Sequence, residues 1–289
     1  MKGEAKEGFL FFLPALIIFI LLILYPLINA IWISFRNYNW FIGKNEFIGI
    51  GNYVKLLSDP IFWNATKNTL IWTIFSLTGQ LIIATVAALL LNTKFGSKRV
   101  LRSIFIFPWV LPTVVAALAW RAMYHEFWGV ISYVLHYVGL TANRVNLLSL
   151  TSTSLNAAIV VNIWRGFPLM MVMILAGLQG IPKEIYEAAD IDGASQFKKL
   201  IYITFPMLRQ IIAIMVLFRT IWIFNFFDLV WLLTRGGPAS SSETLPILIY
   251  LKSFGSYEFG NASSVAIMML IMLTVILTSI YLLLSRGQR

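Results

Sequence analysis

Apolar runs of roughly twenty residues, the length that crosses a bilayer as a helix, alternate along this chain with shorter polar connections. Six stretches qualify: Phe9–Phe35, Leu70–Leu91, Ser103–Met123, Leu155–Leu178, Gln210–Thr234 and Asn261–Ser285. They predict an all-α integral membrane protein, a single transmembrane domain over residues 1–289. The third and fifth runs are interrupted, one by Pro108 and Pro112, the other by Arg219 and Asp228. Proline is tolerated in a span where neighbouring helices or water satisfy the freed carbonyls. The first run continues for about 26 residues from Gly8 with no small-residue cleavage site after it, so it reads as a retained span rather than a signal sequence.

Composition agrees with lipid as the main solvent. Of 289 residues, 59% are hydrophobic and 12% charged, with mean hydropathy +0.82, too little charge to cover a soluble surface of this size. The net charge of +10 is spread between apolar runs and forms no nucleic-acid-binding tract. The basic residues divide unevenly among the connections. Lys2, Lys6, Lys94, Lys98, Arg99, Arg102, Lys183, Lys198, Lys199, Arg209, Arg286 and Arg289 fall at the two ends and in alternate connections. The positive-inside rule then places both termini in the cytoplasm. Cysteine is absent, which excludes disulfides, iron–sulfur clusters and thiol catalysis.

Residues 179–209 separate the fourth run from the fifth and are not disordered in composition. Pro182 suits a first helical position, and Glu184 and Glu187 favour the N-terminal end of a helix dipole. Ile185, Ala188, Ala189 and Asp192 share a face, and Gly193 can close the helix with a left-handed residue. Ser195 can cap a second helix carrying Phe197, Leu200, Ile201 and Thr204 on one side, before Pro206 breaks it. Such a helix–turn–helix could lie on the inner leaflet or dock a cytoplasmic partner.

The run Glu187-Ala188-Ala189-Asp190-Ile191-Asp192-Gly193, followed by Ile203-Thr204-Phe205-Pro206, resembles the EAA loop of ABC importer permeases. The spacing matches that pattern, with Phe205 where leucine is usual. Phe47-Ile48-Gly49-Ile50-Gly51-Asn52-Tyr53, Asp59-Pro60, Asn68-Thr69-Leu70, Trp164-Arg165-Gly166-Phe167-Pro168 and Thr234-Arg235-Gly236-Gly237-Pro238 resemble sugar-type, maltose-like permeases. The resemblance implies a type I importer architecture of six spans with a cytoplasmic coupling helix. It implies partners as well: a second homologous permease, two cytoplasmic ATPase subunits and an extracytoplasmic solute-binding protein, all at the cell membrane. Glu187, Ala188, Ala189, Asp190, Gly193 and Pro206 would then couple to the ATPase, and the solute would be a sugar. An amino acid or polyol phosphate is the alternative solute, and a membrane scaffold the alternative outside transport.

Charges within spans are costly and point to function. Arg219, Trp222, Ile223 and Phe226 recur at i, i+3, i+4, i+7, a face on which rings can cover a sugar and arginine can donate to hydroxyls. Asn225 and Asp228 are expected on the opposite side, as structural or gating residues. The resemblance adds Arg165, Gly166 and Leu169 of the fourth run; Arg165 paired with Asp228 is the structural alternative, and Trp164 is expected to pack. No P-loop occurs, and His125 and His136 have no acidic partner at metal spacing. No catalytic set, metal or cofactor is therefore expected, and ATP hydrolysis is assigned to separate subunits.

Overall fold

In the computed structural model, residues 2–93 and 98–285 are described; Lys94, Arg286 and Arg289, used above for orientation, lie outside them. The chain runs α1 (Lys2–Phe19), a π-helical turn (Ile20–Leu24), α2 (Tyr25–Ser34), a hairpin of β1 (Arg36–Asn39) and β2 (Lys44–Phe47), then α3 (Gly51–Leu57) and α4 (Pro60–Asn92). Next come α5 (Lys98–Val110), α6 (Thr113–Met123), α7 (Val130–Tyr137) and α8 (Ser154–Gln179). The remainder is α9 (Lys183–Ile191), α10 (Gln196–Lys199), a π turn (Leu200–Thr204), α11 (Phe205–Phe224), α12 (Asp228–Thr234), α13 (Leu245–Tyr250), a third π turn (Leu251–Gly255) and α14 (Phe259–Ser285).

Among the described residues, five helical stretches are long and apolar enough to cross a membrane: Phe11–Ser34, Pro60–Asn92, Ser154–Gln179, Gln196–Phe224 and Phe259–Leu283. A sixth arises if α5 and α6, bent by 97° across Leu111 and Pro112, count as one. Pro112 explains that bend, since it adopts φ −55°, ψ 140° and interrupts the helix, whereas Pro108 sits inside α5.

By contacts the chain forms two compact units. In the first, residues 1–63 and 248–272, the Asn52 amide donates to the Ser34 and Arg36 carbonyls at 2.8 Å each. The Lys252 ammonium meets Asp59 at 3.4 Å there. In the second, residues 64–247 and 273–289, α8 is the central element, with 61% of its apolar window buried against 0% for the first span. Ala84, Ala87 and Ala88 of α4 are buried against Met170, Met171, Ile174 and Leu175 of α8. Small side chains let helices approach closely in lipid, where no hydrophobic drive brings them together.

Span boundaries differ from the sequence reading at several places. The second helix begins at Pro60 rather than Leu70. Pro206 does not break the chain. The preceding π turn, closed by the Phe205 amide on the Leu200 carbonyl, seats the proline in the first turn of α11. One helical stretch thus runs from Gln196 to Phe224, starting well before the expected Gln210. It ends ten residues before Thr234: residues 225–227 leave the helix, and α12 starts anew at Asp228. The Ile223 carbonyl accepts from the Phe226 amide at 3.1 Å and also from the Trp72 indole N–H at 2.9 Å.

Candidate functional site

The fourth and fifth spans bring their arginines to one cavity of about 390 Å³, lined by Trp109, Asn162, Arg165, Gly166, Arg219, Trp222, Ile223, Asn225 and Phe226. On α8, Asn162, Arg165 and Gly166 share a stripe at i, i+3, i+4. Arg165 sits about 17 Å along that helix, near its middle. On α11, Arg219, Trp222 and Ile223 do the same, with the Arg219 guanidinium 5.9 Å from the Trp222 ring. Phe226 reaches the cavity from the loop rather than from the helix, and its ring lies 5.8 Å from the Arg165 guanidinium.

The partner of Arg219 is a residue that sequence reasoning passed over. Gln80 of α4, fully buried, accepts through Oε1 from Arg219 Nη2 at 2.6 Å and from Nε at 3.1 Å. Its Nε2 donates to the Asn162 carbonyl at 2.9 Å. A Cβ at Gly166 would lie 2.2 Å from Gln80 Nε2 and 2.5 Å from Arg219 Nη2. Glycine is needed there so that this clamp can lie flat on α8. The one available signal was that Gln80 is the only amide within the second apolar run. Asn162, 3% exposed, keeps its Nδ2 without a hydrogen-bond partner, as does the Arg165 Nε. Because an unmade bond to a buried polar group costs about 1–3 kcal/mol, such donors mark a place where a polar ligand gains.

Other expected positions fall differently. Asn225, expected opposite, lines the same cavity, because the helix ends before it and its amide turns back onto the Ile221 carbonyl at 2.8 Å. Among the described residues Arg165 and Asp228 form no ion pair within 4 Å. Leu169 lines an adjoining, mostly apolar cavity of about 190 Å³ with Met170, Met173, Met215 and Phe218, which shares Arg219 and Trp222 with the first. Trp164 packs edge-on against Trp120 at 5.5 Å. His125 stacks on Trp128 at 3.4 Å and lines a wider opening of about 530 Å³ with Arg121 and Asn146. Two runs quoted separately from the sequence also meet. The Asn68 amide holds the Ser240 and Glu243 carbonyls, and Thr69 accepts the Leu245 amide at 2.8 Å. Ser242 bonds Thr234 at 2.7 Å and closes the loop that carries Gly236-Gly237-Pro238.

In the loop after the fourth span, α9 ends at Asp192 and Gly193 adopts φ +72°. The Gly193 amide bonds the Asp190 carbonyl at 3.1 Å and the Ala194 amide bonds Ala189 at 2.9 Å, the paired bonds of a Schellman cap. Ser195 then caps α10 through the Lys198 amide. Lys199, buried, donates to Asp190 at 2.5 Å, and Tyr186 bonds Thr204 at 2.9 Å. These links fold the loop back on the start of the long helix. Of the face expected to be apolar only Ala189 is buried. Glu187 and Ala188 are exposed and Ile191 is 88% exposed, so the outer side of α9 is free to contact something else.

A family model described as the inner membrane component of binding-protein-dependent transport systems matches residues 80–289. The chain is 33% identical over 287 residues to the trehalose/maltose transport system permease protein MalF of Thermococcus litoralis, covering 99% of this chain and 96% of that one. It is 34% identical over 285 residues to the sulfoquinovosyl glycerol transport system permease protein SmoG of Agrobacterium fabrum, covering 98% and 92%. Among solved structures, a chain of a bacterial ABC transporter involved in import of the acidic polysaccharide alginate superposes with TM-score 0.86 at 23% identity, over 99% of both chains. With a family model covering most of the chain and relatives aligned nearly end to end, this protein belongs to the family of binding-protein-dependent transport system inner membrane components.

Proposed function

We propose that the chain is one of two homologous permease subunits of an ATP-driven importer and passes a sugar or short oligosaccharide across the membrane. The observation that carries this reading is the cavity: two guanidinium groups, one with a buried Nε left without a partner, the unpartnered Asn162 amide nitrogen, and three aromatic rings, two on helices and one on the loop after α11. Rings cover the C–H faces of a pyranose and the donors meet its hydroxyls. Trp222 is 63% exposed and Asn225 is exposed beside it, so the cavity opens on the surface of the subunit and a second permease would complete it. Relatives for trehalose/maltose and sulfoquinovosyl glycerol support a sugar. Solute would arrive on an extracytoplasmic binding protein, and ATP would be hydrolysed by two separate cytoplasmic subunits seated against α9. The test is the complex in proteoliposomes: loaded binding protein should stimulate ATP hydrolysis and drive uptake of labelled saccharide. Stimulation by a binding protein loaded with an amino acid instead would overturn the substrate class. No acidic residue lines the cavity, which favours as a second reading a sugar bearing an anionic group; competition between neutral and acidic saccharides separates the two.

On this reading Gly193 transmits the motion of the ATPase. Valine there meets no neighbour but must adopt a left-handed conformation costing about 1–2 kcal/mol or more for a β-branched residue. Gly193→Val is expected to reduce uptake about tenfold or more while the subunit still inserts, measured as uptake beside ATPase association in membranes. Full uptake would mean that the turn does not matter for coupling.

We further propose that both termini are cytoplasmic. Reporter fusions after Arg102 and Lys199 are expected to score cytoplasmic, and fusions after Lys55 and Arg144 outside. One reversed fusion would break the six-span arrangement.

A further inference from the structure

The first span ends in an unusual cluster. Asn29, Trp32 and Ile33 recur at i, i+3, i+4 on α2, and Arg36 follows as the first residue of β1, two residues past the helix end at Ser34. With Tyr38 and Asn45 they line a hollow of about 300 Å³. Arg36 Nη2 donates to the Asn45 carbonyl at 3.2 Å, and its guanidinium lies 5.5 Å from the Trp32 ring. Its Nε is buried and has no hydrogen-bond partner. The strand register sets Arg36 opposite Phe47 and Tyr38 opposite Asn45, so these share one face of the hairpin. Glu46 falls on the other face, paired with Lys44 at 3.5 Å. No carboxylate therefore lines the hollow and neutralises the guanidinium.

The surroundings fix where this hollow sits. None of the first span's apolar window is buried within the chain, and Trp32 is 54% exposed. The hairpin tip carries Trp40, Phe41 and Ile42, each 67–80% exposed. Indole and phenol rings at the end of a span collect at the headgroup level of a bilayer. The hairpin is held there by the Trp40 amide on the Tyr257 carbonyl at 3.2 Å and by the Phe41 ring stacked on Tyr257.

We propose that the hollow is a binding site for the phosphate of a glycerophospholipid in the leaflet where the first span emerges. Arg36 and Tyr38 meet the phosphate, while Asn29, about 7 Å back along α2 from its last residue, meets the glycerol oxygens. The acyl chains follow the apolar face below it. A free phosphate offers the same anionic oxygens but nothing for Asn29 or for the exposed rings at the tip. The site is separate from the arginine cavity and does not rest on the transport reading.

The test is native mass spectrometry of the complete detergent-purified complex, titrated with dioleoylphosphatidylglycerol and, in parallel, with dioleoylglycerol, which has the same chains and no phosphate. Arg36→Gln is expected to weaken one phosphatidylglycerol binding event about tenfold and leave dioleoylglycerol unchanged. Asn29→Leu is expected to weaken the same event about threefold; leucine suits a lipid-facing helix better than asparagine, so its effect does not come from misfolding. Equal affinity in the wild type and both variants would overturn the proposal. So would equal binding of dioleoylglycerol, which would make the hollow an apolar crevice. Displacement of the lipid by inorganic phosphate at the same concentration would assign the site to a free anion instead. Loss of the second permease from the Arg36→Gln complex, rather than loss of lipid, would make this face a contact between subunits.

Discussion

Arg219→Ala is expected to lower saccharide uptake by about 10- to 100-fold, the loss of a hydrogen bond from a charged donor worth about 1.5–3 kcal/mol. Basal ATP hydrolysis and assembly should stay near wild type, because truncation leaves Gln80 with its second bond, to the Asn162 carbonyl. The remaining donors of Arg219 have no protein acceptor among the described residues and lie at a cavity wall, which is why the loss should fall on transport rather than on folding. Arg219→Lys should restore uptake only in part, since an ammonium cannot give two donors to Oε1 while presenting others to a ligand. If the alanine variant instead fails to assemble while its surviving complexes transport normally, Arg219 is a structural residue.

Gln80→Leu is the second large effect. It keeps the volume close but leaves the Arg219 guanidinium without its acceptor, a lost hydrogen bond from a charged donor worth about 1.5–3 kcal/mol. Uptake should fall about tenfold or more, chiefly by a higher half-saturation concentration, as the guanidinium swings away from its clamped position. Gln80→Glu keeps the acceptor for Arg219 and adds an ion pair, which offsets the lost bond from Nε2 to the Asn162 carbonyl, so it should retain assembly. Uptake by the glutamate variant well above that of the leucine variant shows that an acceptor is required at this place. Equal uptake by both would mean that the clamp does not position Arg219.

The spans were legible because lipid demands long apolar runs, and the loop because caps and turns are local. Gly193 and Ser195 announce themselves by backbone chemistry that any nearby sequence window contains, while Pro182, expected at the first helical position, stands one residue earlier as the N-cap of α9. The ends of the fifth helix were not legible. Pro206 reads as a breaker unless one knows that a π turn precedes it, and the break at Asn225 sits where Trp72, 151 residues away in sequence, bonds the Ile223 carbonyl. The same applies to the cavity. Arg165 and Arg219 stand out because charge is rare in an apolar run, but Gln80 is an ordinary amide until the fold sets it against Gly166. Periodicity placed Phe226 on a helical face and Asn225 opposite it. Both line the cavity because the helix stops first, which no pattern over one window can show.

The unbroken helical stretch from Gln196 to Phe224 has a mechanical consequence. Its first turn carries Lys199, bound to Asp190 of α9, and its last turns carry Arg219. Twenty residues of continuous helix make a rod about 30 Å long. A tilt of only about 10° about one end carries the other through roughly 5 Å, more than the length of a hydrogen bond. Motion imposed on the loop and the position of the guanidinium are thus linked through one helical stretch, whose only places to flex are the π turn at Leu200–Thr204 and Pro206.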